Sequence, residues 1–259
     1  MENKVDAAQR PAAPKIERIR FLKVPMDIVE PGDLPLLIFN MANEKKEQSI
    51  VLLSLWDLLR ARRNGEYRNY VENASLVIPI SKSIVGGARF LLKKRPIRYM
   101  PFDFVIKCLS VLEEHELSCY LLGGKKKIMQ KIEKNITSTF PGLHIVGRFS
   151  GVLKGQGEKL VISAIHKSSP NLLLVGKGVR GKEMWISRNS AHLGSGLRLW
   201  CSDLFEVLAG RKWKPSKRVF ELGLEWVGYC FRKPLRLFRV FPLLRYYLLV
   251  LFHKMTDDE

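Results

Sequence analysis

Several short segments of this chain are apolar from end to end: Leu172-Leu173-Leu174-Val175, Tyr120-Leu121-Leu122-Gly123 and, with one serine at its start, Ser75-Leu76-Val77-Ile78-Pro79. A strand with one wet face alternates apolar and polar residues. A strand that is apolar throughout is covered on both faces, which is the habit of a parallel sheet between two layers of helices. The pattern predicts strands near Arg18–Ile28, Ser49–Ser54, Ser75–Ile80, Ser118–Gly123, His144–Gly147, Asn171–Gly176 and Gly196–Cys201. Helices are predicted between them, over Pro31–Glu44, Trp56–Asn73, Ser83–Lys94, Phe102–Glu116, Lys125–Thr139, Glu158–Lys167 and Lys182–Ala191. The fold class is therefore α/β: a Rossmann-like, mostly parallel central sheet with helices on both faces. No internal repeat is visible.

At 259 residues, 46% of them hydrophobic, the chain can bury one large core with an appendage. Residues 1–15 are polar and rich in Pro and Ala, and read as a loose leader with no apolar signal segment. Residues 16–210 read as the α/β domain and 211–259 as a basic appendage. The 44 Lys and Arg against 25 Asp and Glu give a formal charge of +19, which calls for an anionic partner such as nucleic acid, a membrane surface or a phosphorylated substrate. No RNP, KH or helix-turn-helix signature accompanies the charge, so nucleic acid is not the expected partner. The four cysteines, Cys108, Cys119, Cys201 and Cys230, form no C-x-x-C pair. Neither a zinc site nor a disulfide framework is expected, and a reducing compartment fits.

The appendage mixes bases with rings and aliphatics. Lys214, Arg218, Arg232, Arg236 and Arg239 are interleaved with phenylalanines and leucines, with breaks expected at Pro234 and Pro242. The apolar stretch Leu243–Phe252 carries Arg245 and falls short of the roughly 20 residues that span a bilayer. It suits a helix lying in the headgroup region, where each base contributes up to about 1 kcal/mol on an anionic surface. A helix packed on the domain, with ordinary solvated bases, is the alternative.

Two glycine turns follow strands. Gly176-Lys177-Gly178-Val179-Arg180-Gly181 matches G-x-G-x-x-G between a strand and a helix, with Asp203 farther on where a ribose-binding acid would sit. The copy falls late in the chain and carries Lys177, Arg180 and Lys182, so it reads better as a phosphate-binding loop than as a nicotinamide site. A glycine turn without a ligand is the competing reading. Gly123-Gly124 precedes Lys125-Lys126-Lys127 in a second such turn. No histidine pairs with a nucleophile; His115, His166 and His192 read as surface residues. Trp185, Trp200, Trp213 and Trp226 read as packing residues.

Several blocks together resemble the WecG/TagA/CpsF family, glycosyltransferase family 26. They are YLLGGKKKIMQKIEKNITSTFPGLHIVGRFSG, NLLLVGKGVRGKEMWI, LFEVLAGRKWKP and LGLEWVGYCFRKPLRLFRV, with ASLVIPISKSIV and RYMPFDFV upstream. The resemblance implies an inverting, metal-independent transferase with no cofactor. Such an enzyme moves an N-acetylhexosamine or related sugar from a UDP-sugar to a polyprenyl-diphosphate-linked sugar, in the synthesis of cell-surface polysaccharide. It implies a peripheral enzyme on the cytoplasmic face of the membrane, held there by the basic appendage and capable of self-association. Carried onto this chain, the donor site would include Gly123, Gly124, Gly176, Gly178, Arg180, Gly181, Lys182 and Glu206. The acceptor diphosphate and membrane would be met by Lys214, Arg218, Arg232, Arg236 and Arg239.

One departure bears on chemistry. The family's P-D-G-x-G aspartate, its general base, stands at Ile80, and the two glycines are Ser81 and Ser83. Isoleucine takes no proton. Three readings follow: another acid serves, with Glu183 and Asp103 the candidates and Glu206 beside them; the substrates differ; or the chain is a catalytically impaired relative that binds nucleotide sugar or scaffolds a partner transferase.

Overall fold

The computed structural model describes residues 14–63, 65–224 and 240–257. Six strands form one wholly parallel sheet in the order β4-β3-β8-β7-β5-β6. They are β3 (Glu47–Leu53), β4 (Leu76–Pro79), β5 (Ser118–Leu122), β6 (His144–Phe149), β7 (Leu172–Gly176) and β8 (Gly196–Ser202). The uniform apolarity has the expected cause. Leu172 and Leu174 of β7 pack into one core layer while Leu173 and Val175 pack into the layer on the opposite face.

One face is covered by α1 (Leu34–Asn43), α5 (Pro101–Glu114), α6 (Lys126–Thr139) and α10 (Leu204–Leu208). The opposite face carries α7 (Gly155–Ser168), α8 (Glu183–Arg188) and α9 (Ser190–Leu193) over β5 and β7. Beside them, α2 (Leu55–Ala61), α3 (Gly65–Glu72) and α4 (Lys82–Leu92) cover β3 and β4. The short α11 (Lys217–Leu222) and the last helix, α12 (Val240–Asp257), complete the described chain.

Three elements differ from the sequence expectation, one of them Lys182–Ala191, which is two short helices, α8 and α9. Arg18–Ile28 is not one strand of the main sheet but an antiparallel hairpin, β1 (Ile16–Phe21) and β2 (Val24–Val29), outside it. Its turn residues Leu22 and Lys23 both have positive φ, 49° and 67°, as a two-residue hairpin turn requires. The hairpin is pinned to β4 by Asp27. That carboxylate takes two bonds from Arg18, at 2.7 and 2.8 Å, and one from the Val77 amide at 2.7 Å. Trp56–Asn73 is likewise two helices, α2 and α3.

α12 carries apolar side chains on two faces. Tyr246 and Val250 are buried with Phe21, Ile84 and Ala88, and Leu243 packs against them. The Tyr246 hydroxyl donates to the Ser83 carbonyl at 2.6 Å. Phe241, Leu244, Leu248, Leu251, Phe252 and Met255 form the other face, and all are more than half exposed. Pro242 lies in the first turn, where no helical amide is needed. Among the described residues no helix is long and apolar enough to cross a membrane.

Candidate functional site

The carboxyl ends of β4, β3, β8 and β7 open into a cavity of about 1400 Å³. Ligands of open parallel sheets bind at this rim. The cavity joins segments distant in sequence: the turn Ile80-Ser81-Lys82-Ser83, the loop Lys177–Val179 with Lys182 and Glu183, the β8 end Trp200–Leu204, and Lys212–Pro215. Leu243 and Tyr247 of α12 reach its wall.

The segment after α10 is strapped across the 80–83 turn. Arg98 donates to the Ile80 carbonyl at 2.8 Å and to the Phe220 carbonyl at 2.5 Å, with its guanidinium 3.7 Å from the centre of the Phe220 ring. Lys82 Nζ donates to the Leu222 carbonyl at 3.2 Å. Lys214 donates to Asp103 at 2.5 Å and sits 4.5 Å from the centre of the Phe102 ring. Arg98 and Lys82 place positive charge at the cavity wall beside Ile80.

Among the described residues three carboxylates line this cavity: Asp57, Glu183 and Asp203. Glu183, buried at the start of α8, is paired with Arg60, whose guanidinium also covers the Tyr67 ring at 4.1 Å. Asp203 is paired with both Lys177 and Lys212. Asp57 has no cationic partner in the described chain. It is the third residue of α2 and forms a capping box with Ser54, whose hydroxyl and amide both donate to Asp57 Oδ2. Burial, with Glu183 as a further anionic neighbour, raises the Asp57 carboxyl above the ordinary range, and the Ser54 bonds oppose that shift. Desolvation also pushes the phenols of Tyr67 and Tyr70, on the same wall, well above their usual value.

The residues singled out in the sequence distribute as follows. Gly178, Lys182 and Glu183 line the cavity, as does Ile80. Gly123, Gly124, Gly176, Arg180, Gly181 and Glu206 are not part of the lining. Gly123 instead lets two loops touch: at φ 105°, a Cβ there would lie 2.8 Å from the Gly176 carbonyl oxygen and 2.9 Å from that of Lys177. The amides of Lys182, Met184 and Trp185, which follow the glycine turn, are taken by the carbonyls of Val179, Gly181 and Lys182. Lys214 lines the cavity and Asp103, its partner, lies outside the lining. Arg218 is exposed on α11. Arg232, Arg236 and Arg239 lie outside the described residues. Trp185 is buried and donates to Glu158 at 2.6 Å. Trp200 and Trp213, expected to pack, face the cavity, and Trp213 is about half exposed.

Asp57, Arg60, Tyr67, Lys82 and Arg98 went unremarked in the sequence. Only Asp57 had a local signal, the S-x-x-D pattern at the end of a strand.

A parallel sheet with a basic cavity at its carboxyl rim defines an α/β protein of the doubly wound class. The chain belongs to the glycosyl transferase WecG/TagA/CpsF family, whose sequence profile matches residues 19–259. Two relatives are N-acetylglucosaminyldiphosphoundecaprenol N-acetyl-beta-D-mannosaminyltransferases. That of Bacillus spizizenii is 22% identical over 77% of each chain, and that of Bacillus subtilis is 23% identical over 74% of each.

Proposed function

We propose that this protein transfers an N-acetylhexosamine, in the manner of N-acetylmannosamine, from a UDP-sugar to a sugar carried on polyprenyl diphosphate at a membrane surface. The observation that carries the reading is one cavity in which four of the matched blocks meet, through Ile80–Ser83, Arg98 with Met100–Phe102, Lys177–Val179 with Lys182 and Glu183, and Lys212–Pro215. Arg60, Lys82, Arg98, Lys177, Lys182, Lys212 and Lys214 line it against three carboxylates. That excess favours a substrate bearing phosphates. When the acceptor hydroxyl attacks the anomeric carbon, the bond to the diphosphate breaks and charge grows on the leaving UDP. Fixed cations in a recessed site are most effective against charge that develops during the reaction. Lys82, Lys182 and Arg98 are placed for that role. Trp200 and Trp213 offer ring faces to a base or sugar.

α12 supports the membrane part of this reading. Its inner face is fixed to the domain by Tyr246 and Val250, and its outer face is an apolar ridge from Phe241 to Met255. A ridge of that kind suits the headgroup boundary. Because Leu243 and Tyr247 also line the cavity, a lipid-borne acceptor would meet the site without leaving the membrane. The test is UDP release from UDP-N-acetylhexosamines with a polyprenyl-diphosphate-linked N-acetylglucosamine acceptor in vesicles. Turnover that depends on acceptor and falls at least tenfold in Lys182→Met is expected. Folded protein that releases no UDP with any such donor would overturn the proposal.

A further inference from the structure

The position that would carry the family's base is Ile80, and the cavity still needs a group to take the acceptor's proton. We propose that Asp57, on the first turn of α2, takes the proton from the acceptor hydroxyl in the transfer reaction. This rests on the reading of the cavity as a sugar-transfer site. In the step, the acceptor oxygen forms its bond to the anomeric carbon and the bond from that carbon to the UDP oxygen breaks. The electron pair leaves with UDP, and the acceptor's proton passes to the Asp57 carboxylate.

Three observations single Asp57 out. It is one of the three described carboxylates on the cavity wall, and the other two are neutralised, Glu183 by Arg60 and Asp203 by Lys177 and Lys212. Asp57 is held by neutral donors alone, the Ser54 hydroxyl and amide and the Tyr67 side chain. Next, its helix starts beside the turn that lost the base. The Leu55 amide donates to Ser81 Oγ at 3.0 Å, and the Ile80 amide donates to the Leu53 carbonyl at 3.0 Å. Asp57 and Ile80 thus belong to adjoining rims of one cavity. Finally, the groups facing Asp57 are Glu183 from α8, Tyr67 and Tyr70 from α3 and Ser54. Burial of the carboxylate, with Glu183 as a smaller contribution, favours proton uptake there, and the bonds from Ser54 and Tyr67 oppose it.

Asp57 also caps α2, so the test must separate a proton acceptor from a capping residue. Four proteins are compared for kcat and its pH profile with the lipid-linked acceptor: wild type, Asp57→Asn, Asp57→Glu and Asp57→Asn/Ile80→Asp. A general base contributes about 10²–10⁴-fold. The expected result is a loss of roughly that size in kcat for Asp57→Asn with KM little changed, and disappearance of the acidic limb. Asp57→Glu is expected to keep a limb displaced in pH, which a capping role alone would not move. Ile80→Asp in the Asp57→Asn background is expected to restore at least tenfold. Wild-type turnover with an Asp57→Asn variant that keeps both its rate and its limb overturns this assignment and leaves the transfer reading standing. If Asp57→Asn does not fold, an unshifted limb in Asp57→Glu overturns the assignment instead. Absence of turnover in the wild type overturns both.

Discussion

The outer face of α12 makes the membrane reading quantitative. Leu248, Leu251 and Phe252 are 59%, 53% and 62% exposed, while Tyr246 and Val250, on the inner face, hold the helix to the domain. Replacing those three by serine should leave the fold intact and remove about half of the ridge. Full burial of a Leu or Phe side chain is worth about 1.5–3 kcal/mol. A little over half of each is free to enter the bilayer, so the three together contribute roughly 3–5 kcal/mol. At about 1.4 kcal/mol per factor of ten, vesicle affinity should fall roughly 10²–10³-fold or more. The assay is co-sedimentation with vesicles of neutral lipid, and of neutral lipid with an anionic fraction, over a salt series. High salt shortens the screening length to about 3 Å at 1 M and removes the share due to bases, leaving the apolar share. Unchanged affinity in the triple variant would refute the argument. So would a large fall in its melting temperature, because that would mean the face is packed rather than free.

Other consequences follow from single contacts. Arg60→Met leaves the buried Glu183 carboxylate unpaired. With Arg60 itself over a third exposed, the cost should be about 1–3 kcal/mol, most of it recovered in Arg60→Met/Glu183→Gln, as read by urea unfolding. Gly87→Ala puts a Cβ into the Tyr246 hydroxyl and within 2.7 Å of Phe21 Cζ, so it should destabilise the α12 docking by about 1–3 kcal/mol, visible as a lower melting temperature. Asp57 has a raised folded-state pKa, so the stability it contributes is full at low pH and is lost as pH rises through that pKa. The melting temperature of Asp57→Asn relative to wild type should therefore improve between acidic and neutral pH; a constant difference would contradict the shift.

The sheet was legible because burial on both faces leaves a local mark, the unbroken apolar run. Turn chemistry carried less. The β1–β2 turn is built from Leu22 and Lys23, without the Gly or Asn that ordinarily announces positive φ, so the hairpin read as one strand. α2 and α3 read as one helix although the polar run Arg62–Glu66 between them contains Asn64-Gly65, a turn dipeptide. The glycine motif at 176–181 was visible, but the use of the amides that follow it by local carbonyls is a three-dimensional fact. The family's blocks could be matched in the sequence. The neutralisation of Glu183 and Asp203 could not, since it depends on Arg60 and on lysines from separate loops. Asp57 sat in a pattern ordinary enough to read as a helix start.

The most direct measurement of the central claim is hydrogen exchange of the full chain with and without UDP. The cavity reading expects protection to concentrate at residues 80–83, 177–183, 200–204 and 212–215, and to weaken in Lys182→Met. UDP binding with protection elsewhere, and none along that rim, would contradict it.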